Sequence, residues 1–353
     1  MKKFLALLLA LTMALALVAC GGGDDAASDT TADSGDDAAA STGEFEEMTW
    51  KFACSATETS PWVDGAKEFA RIVGEKTGGA ITVQYYPADQ LTAGNQTDGI
   101  QALMDGTTEL SMHSNLIWSS FDQRFNVVSL PFLFSSTEEA DAALDGAGGE
   151  ALGEILESTY NVHLLGIAEN GFRHITNSKR AVKTPDDVKG LKIRTQDSPT
   201  SIAMIRAMGG SATPMSSGET YTGLQQGIID GAENNETVLV QDGHGEVCKS
   251  YTYTQHQMVP DIVIISTETW ESLDETEQSA IVNGMTQGNE AHEAVWQDLV
   301  QENIDGAKEM GVQFYTIDKT AFIEATQSLR DEFCAKSADN ARYYEDFLSY
   351  VQA

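Results

Sequence analysis

The chain has 353 residues, with 54 acidic against 21 basic side chains and a formal charge of −33. A single hydrophobic core stops growing near ~250–300 residues, so two folded units are expected. The acidity excludes nucleic acid, whose phosphates need Lys and Arg, and no apolar stretch beyond residue 19 is long enough for a multispanning membrane fold.

Lys2 and Lys3 precede an apolar run, Phe4 to Val18, which ends in Leu17-Val18-Ala19-Cys20-Gly21. A basic start, a short apolar stretch and small residues at the cut describe a secretory signal over 1–19. The Cys directly after Leu-Val-Ala narrows it to the bacterial lipoprotein type, with Cys20 lipidated and the protein anchored on the outer side of a bacterial membrane. Within residues 20–44, the segment Gly21 to Gly43 is Gly, Ala, Ser, Thr and Asp with no aromatic side chain, a composition that cannot bury enough apolar surface to offset its ordering entropy. Residues 20–44 read as an acidic flexible tether. Without the signal's two lysines and the tether's six aspartates, about −29 remains on the folded part, so a binder of anions must gather its few cations locally.

Met48 to Ser55 reads as a strand. Ser60 then caps a helix with Pro61 in its first position, carried by Val63, Ala66, Phe69, Ala70 and Val73 and stopped at Gly78-Gly79. Ala80–Tyr86 is a strand, Gln96–Met104 a helix, and Glu109–His113 and Asn126–Leu130 short buried strands. Thr137–Ser158 is helical with a break at Gly146–Gly149. Strands follow at Val162–Ala168, Phe172–Thr176, Leu191–Thr195, Ala212–Met215 and Ile228–Ala232, with helices at Ser201–Met208 and ending at Tyr221–Gln226. After strands near Tyr251 and over Val259–Ser266, one long helical pattern runs from Asp274 to Met310. Strand Val312–Tyr315 and two helices close the chain. This alternation predicts an α/β protein with mainly parallel sheets.

Three cysteines remain after Cys20, at 54, 248 and 334, an odd number with no CxxC spacing. They predict buried, inert thiols, with one disulfide pair left open, and no zinc site. Gly146-Ala147-Gly148-Gly149-Glu150-Ala151 matches GxGxxA but follows a helix instead of a strand, which argues against a dinucleotide site. His292-Glu293 reads as a packed helix pair, and no catalytic, metal or cofactor constellation stands out.

One block is specific. Asn170 to Arg180 reads Asn-Gly-Phe-Arg-His-Ile-Thr-Asn-Ser-Lys-Arg, followed by Thr-Pro-Asp-Asp-Val-Lys-Gly-Leu-Lys-Ile-Arg, Ala-Met-Gly-Gly-Ser-Ala-Thr-Pro-Met, and Glu219-Thr-Tyr-Thr-Gly-Leu-Gln-Gln-Gly-Ile-Ile-Asp-Gly-Ala-Glu-Asn234. Tyr86-Pro87, Gln90-Leu91, Leu130-Pro131-Phe132-Leu133-Phe134 and Thr269-Trp270-Glu271-Ser272-Leu273 support it. Over roughly 48–350 the chain resembles the DctP-type solute receptors of tripartite ATP-independent periplasmic (TRAP) transporters.

The resemblance implies a two-lobed, periplasmic-binding-protein-like α/β fold. It has a ligand cleft, crossing hinge strands and a long helix spanning both lobes, for which the Asp274–Met310 pattern is the candidate. It implies lobe 1 at 45–170 plus about 260–298, and lobe 2 at 171–259 plus about 299–353. It further implies an organic-acid ligand passed unchanged to integral-membrane TRAP permease subunits, with no cofactor and no catalysis. Arg194 matches the family arginine whose planar fork pairs a carboxylate. Arg173 matches a second ligand-side arginine and Asn234 an amide that meets the ligand. Ser114, Asn115, Trp118, Ser217 and Tyr221 complete the expected site. Ser217 replaces an aromatic residue of the family pattern and Thr92 replaces a glycine, so a pocket of altered shape is expected, with a C4-dicarboxylate as default ligand. The substrate lipoprotein of an ABC importer and an extracytoplasmic enzyme on the same fold are the alternatives.

Overall fold

The computed structural model describes residues 46–351 except 59, 61 and 169. The signal, Cys20, all of the tether and Pro61 lie outside the described residues.

Among the described residues, eleven strands form two sheets. The first contains β1 (Met48–Cys54), β2 (Ile81–Tyr86), β3 (Leu110–Ser114), β4 (Val162–Ala168) and β10 (Asp261–Ser266), in the order β2-β1-β3-β10-β4. β1 pairs in parallel with β2 and β3, while β10 enters antiparallel between β3 and β4. The second contains β5 (Phe172–Asn177), β6 (Lys192–Thr195), β7 (Ser211–Pro214), β8 (Gly231–Asn234), β9 (Ser250–Met258) and β11 (Gln313–Thr316), in the order β11-β9-β5-β8-β6-β7. The fold is therefore the expected two-lobed α/β arrangement, with β4 leading into β5 and β9 into β10 as the strands that cross from one sheet to the other. The sheets are mixed, because those returning strands must run antiparallel to their neighbours.

The long helical pattern is realised as one helix of 35 residues, Glu275–Glu309, opened by an Asp274 capping box with Glu277. Its first half packs on the helix Trp62–Lys76, where Gly288 faces the Gly65 carbonyl so closely that an added Cβ would lie 3.2 Å from it. Its second half packs on the 3₁₀ turn Glu236–Leu239 beyond β8. His292 is buried beside Trp296 at the change of partners.

The break expected at Gly146–Gly149 falls at Asp145-Gly146, between the helices Thr137–Leu144 and Ala147–Ile155, with Gly148 and Gly149 inside the second. A Cβ on Gly148 would strike the Phe347 ring and the Ala143 carbonyl, so these glycines serve helix packing. Phe347 lies on the last helix, Ala338–Val351, which shares a core with Phe134, Leu152 and Ile155 of the first sheet's side. The helix Thr320–Lys336 instead places Phe322 in the second sheet's core with Ile193 and Met204.

Two details depart from expectation. Asn126–Leu130 is not a strand; Gln123–Ser129 coils as 3₁₀ turns capped by Asp122, and its apolar residues meet the Trp118 cluster. Cys54, Cys248 and Cys334 are free thiols and the first two are buried, both as expected, but Cys334 is only partly buried.

Candidate functional site

The cleft between the sheets narrows to an inner chamber of about 60 Å³ lined by Ser55, Gln96, Ser114, Asn170, Arg173, Arg194, Gln196, Ser217, Asn234 and Asp261, with Ala56 and Val259. Gln96 also lines an outer cleft of about 550 Å³, between the 93–97 loop and residues 214–219. The chamber is built by strand ends. Arg173 is the second residue of β5, Asn234 ends β8, Arg194 lies on β6 beside Ala232 and Thr213, and Ser114 ends β3 in the other sheet.

The two arginines are used differently. Arg173 is 6 % exposed and largely committed, through four hydrogen bonds from its five N–H donors. Its Nε and Nη2 donate to the Glu233 carboxylate at 2.5 and 3.0 Å, Nη2 also donates to the Glu233 carbonyl, and Nη1 donates to Asn234 Oδ1 at 2.9 Å. A register shift between Arg173 and Ile175 against β9, where Gln255 has φ of +46°, turns this strand end toward the pair. His256 Nε2 stands 3.4 Å from Glu233 and its Nδ1 is 2.7 Å from the Thr254 hydroxyl. Burial would raise the Glu233 carboxyl, but the Arg173 charge and the hydrogen bonds from His256 and Arg173 hold it at about 2. Arg173 thus enters the chamber with its charge already balanced.

Arg194 is 3 % exposed, and no carboxylate lies within ion-pair distance of it among the described residues. Its Nε donates to the Met215 carbonyl at 2.9 Å, while Nη2 has no hydrogen-bond partner among the described residues. Burial pushes this guanidinium down to about 10, although Glu233 pulls the other way. A buried cation with an unmet donor in a polar cavity is a place where an anion gains most. The cleft is also bridged from sheet to sheet. Ser114 Oγ donates to Gln196 Oε1 at 3.1 Å, Ser120 to the Asp197 carbonyl at 3.0 Å, and Thr57 to Asp242 at 3.4 Å.

Of the residues expected in the site, Arg194, Arg173, Asn234, Ser114 and Ser217 converge on the chamber. Three do not line it. Asn115 is fully buried and spends its amide on the Phe125 carbonyl and Ser129. Trp118 is 0 % exposed, because the short helix Asn115–Trp118 turns it inward among Phe121, Phe125 and Tyr160. Tyr221 sits one turn along the helix Ser217–Gln225 and donates to Glu246. Conversely, Gln96, Gln196 and Asp261 line the chamber unforeseen. Asp261 had a trace in the sequence: a carboxylate directly ahead of the wholly apolar Ile262–Ile265.

Comparison with known proteins agrees with this architecture. Residues 52–337 match the family model DctP, bacterial extracellular solute-binding protein, family 7. The 2,3-diketo-L-gulonate-binding periplasmic protein YiaO of Escherichia coli is 34% identical over 299 residues, covering 84% of this chain and 90% of that one. A TRAP periplasmic solute-binding protein of Anaerococcus prevotii, solved with bound D-glucuronate, is 35% identical, superposes with a TM-score of 0.82 and covers 86% of this chain and 98% of that one. Another, from Sulfitobacter with bound β-D-galacturonate, is 31% identical with a TM-score of 0.81, covering 85% and 99%. Two sheets crossed by a long helix, an arginine-lined cleft and these matches have one common reading: the chain belongs to the bacterial extracellular solute-binding proteins of family 7, DctP, the receptors of TRAP transporters.

Proposed function

We propose that this protein is a lipid-anchored receptor for a uronate-type sugar acid, which it delivers unchanged to the membrane subunits of a TRAP transporter. Arg194 carries the reading: it is the chamber's arginine without a carboxylate partner among the described residues. One ligand carboxylate takes its planar fork, with Arg173 and Asn234 as supporting contacts. The remaining lining is hydroxyl, amide and one aspartate, which suits a ligand rich in hydroxyls. Solved relatives hold glucuronate, galacturonate and, in one case, D-erythronate, all monocarboxylates with several hydroxyls. A sugar acid thus displaces the C4-dicarboxylate as first choice, and the outer cleft beside the small Ser217 and Gly218 leaves room for a ring.

The lobe division proposed from sequence is supported by the sheets, with one refinement: the packing of Phe347 favours assigning 338–351 to the first lobe. Anchoring through Cys20 is supported by the Leu17-Val18-Ala19-Cys20 sequence.

The test is differential scanning fluorimetry against D-glucuronate, D-galacturonate, D-gluconate, succinate and malate. A true ligand at a hundred times its Kd adds ~2.7 kcal/mol of stability. Recovery of that ligand unaltered from the complex separates a receptor from an enzyme. Shifts with succinate or malate alone would overturn the sugar-acid reading.

A further inference from the structure

An anion-binding chamber ordinarily avoids carboxylates, yet Asp261 lines this one together with both arginines. It is not a stray surface group. Its backbone is the first residue of β10, fixed between Ser114 of β3 and Ala168 of β4, and the residue is 6 % exposed. No Lys, Arg or His lies within ion-pair distance of its carboxylate among the described residues, unlike Glu233, which is neutralised by Arg173. The carboxyl is pushed up to about 6, chiefly by burial and against the side-chain hydrogen bond from Asn170. Such a group is costly for the ligand-free fold unless an incoming molecule supplies donors to it.

The charges in the chamber define what that molecule is. Arg173 and Glu233 cancel, and Arg194 and Asp261 remain as one cation and one anion. A ligand with one carboxylate satisfies Arg194 and can present hydroxyl donors to Asp261. A second carboxylate on the same skeleton would bring two anions together in a poorly solvated space, where like charges are weakly screened. A site built to accept from a ligand hydroxyl also discriminates strongly against an analogue that lacks the donor.

We infer that Asp261 sets the ligand class of this receptor: its carboxylate accepts hydrogen bonds from ligand hydroxyls and bars a second ligand carboxylate, so that uronates are admitted and aldarates refused. The inference rests on the sugar-acid reading of Arg194. A merely structural Asp261 would affect all ligands alike, so the ratio between ligand classes is the informative quantity.

The experiment is titration calorimetry of wild type and Asp261→Asn with D-glucuronate, D-galacturonate, D-glucarate, galactarate and malate, with folding checked by thermal melts. Wild type should prefer the uronate to the aldarate of the same skeleton. Asp261→Asn should weaken uronate binding by roughly 10- to 100-fold, the loss of a hydrogen bond to a charged group, and should narrow the uronate-to-aldarate ratio at least as much. Should Asp261→Asn not fold, Asp261→Ser removes the charge while keeping a small polar group, and the same narrowing is expected. Uronate binding in wild type with an unchanged ratio in the folded variant overturns the inference and leaves the receptor reading intact. A wild type that prefers the aldarates or malate, or that binds no sugar acid, overturns both.

Discussion

Replacing Arg194 by Met should make the ligand-free protein more stable and the receptor useless. A guanidinium that burial pushes down to about 10 is disfavoured as a cation in the empty chamber by on the order of 3 kcal/mol, at ~1.36 kcal/mol per pH unit. For a base whose folded value is depressed, that cost is present in full below about pH 10 and fades as the pH rises above it, so it acts undiminished at neutrality. Losing the Nε bond to Met215 returns about 1 kcal/mol, and an apolar side chain of similar length fills the space. The net gain of about 2 kcal/mol corresponds to ~3 °C in Tm for a folded part of ~300 residues, at ~2.1 cal/mol/K per residue. Binding should fall by ~2–5 kcal/mol, the range for truncating one member of a buried charge pair. Arg194→Lys should keep the charge but lose at least tenfold in affinity, because an ammonium cannot pair two carboxylate oxygens in one plane. Calorimetric melts without ligand and titrations with glucuronate measure both effects. A ligand-free Arg194→Met protein that melts below wild type refutes the burial argument; an Arg194→Lys protein that binds as tightly as wild type refutes the fork.

Glu233→Gln should lower stability at neutral pH and flatten its decline in acid. A carboxylate held at about 2 stabilises fully above 4.5 and loses that contribution as the pH falls toward 2; equal slopes for both proteins in urea melts across that window would contradict this. Trp118→Ala should cost ~3–5 kcal/mol through an aromatic-lined cavity, while glucuronate affinity of the folded fraction stays within threefold; a selective loss of affinity would return Trp118 to the site. Cys20→Ala should shift the protein from membrane to soluble fractions or block its processing, read by fractionation and mature mass. Small-angle scattering should give a smaller radius of gyration with saturating glucuronate than without, and identical radii would exclude closure.

Much of this was legible in the sequence because it is locally encoded. The 3.6-residue pattern and the Asp274–Glu277 capping pair specify the long helix without tertiary information. Arg194, Arg173 and Asn234 were expected in the site because their block resembles a known receptor family, and all three line the chamber. Trp118 and Asn115 misled because four residues of helix decide which way a side chain points, and the aromatic partners that draw Trp118 inward include Tyr160, 42 positions away. Gln123–Ser129 looked like a strand because a buried 3₁₀ segment is as apolar as one. Asp261 escaped notice because it comes from the opposite sheet, and only the return of β10 between β3 and β4 places it on the wall of the chamber that Arg194 also lines.

The helix Glu275–Glu309 has a mechanical consequence. At 1.5 Å per residue its 35 residues make a rod of ~52 Å, anchored at one end against the helix Trp62–Lys76 and at the other against Glu236–Leu239. A rod fastened to both halves resists shear and torsion far more than gentle flexure. The two strand crossings, one of them beside Gly171 at φ +70°, act as pivots lying alongside it. Such a linkage has one soft degree of freedom, a jaw-like swing, and the rod flexes as the jaw shuts. The midpoint near His292 and Trp296 is where the curvature must concentrate, and its elastic recoil would favour reopening, which suits a carrier that has to let its cargo go.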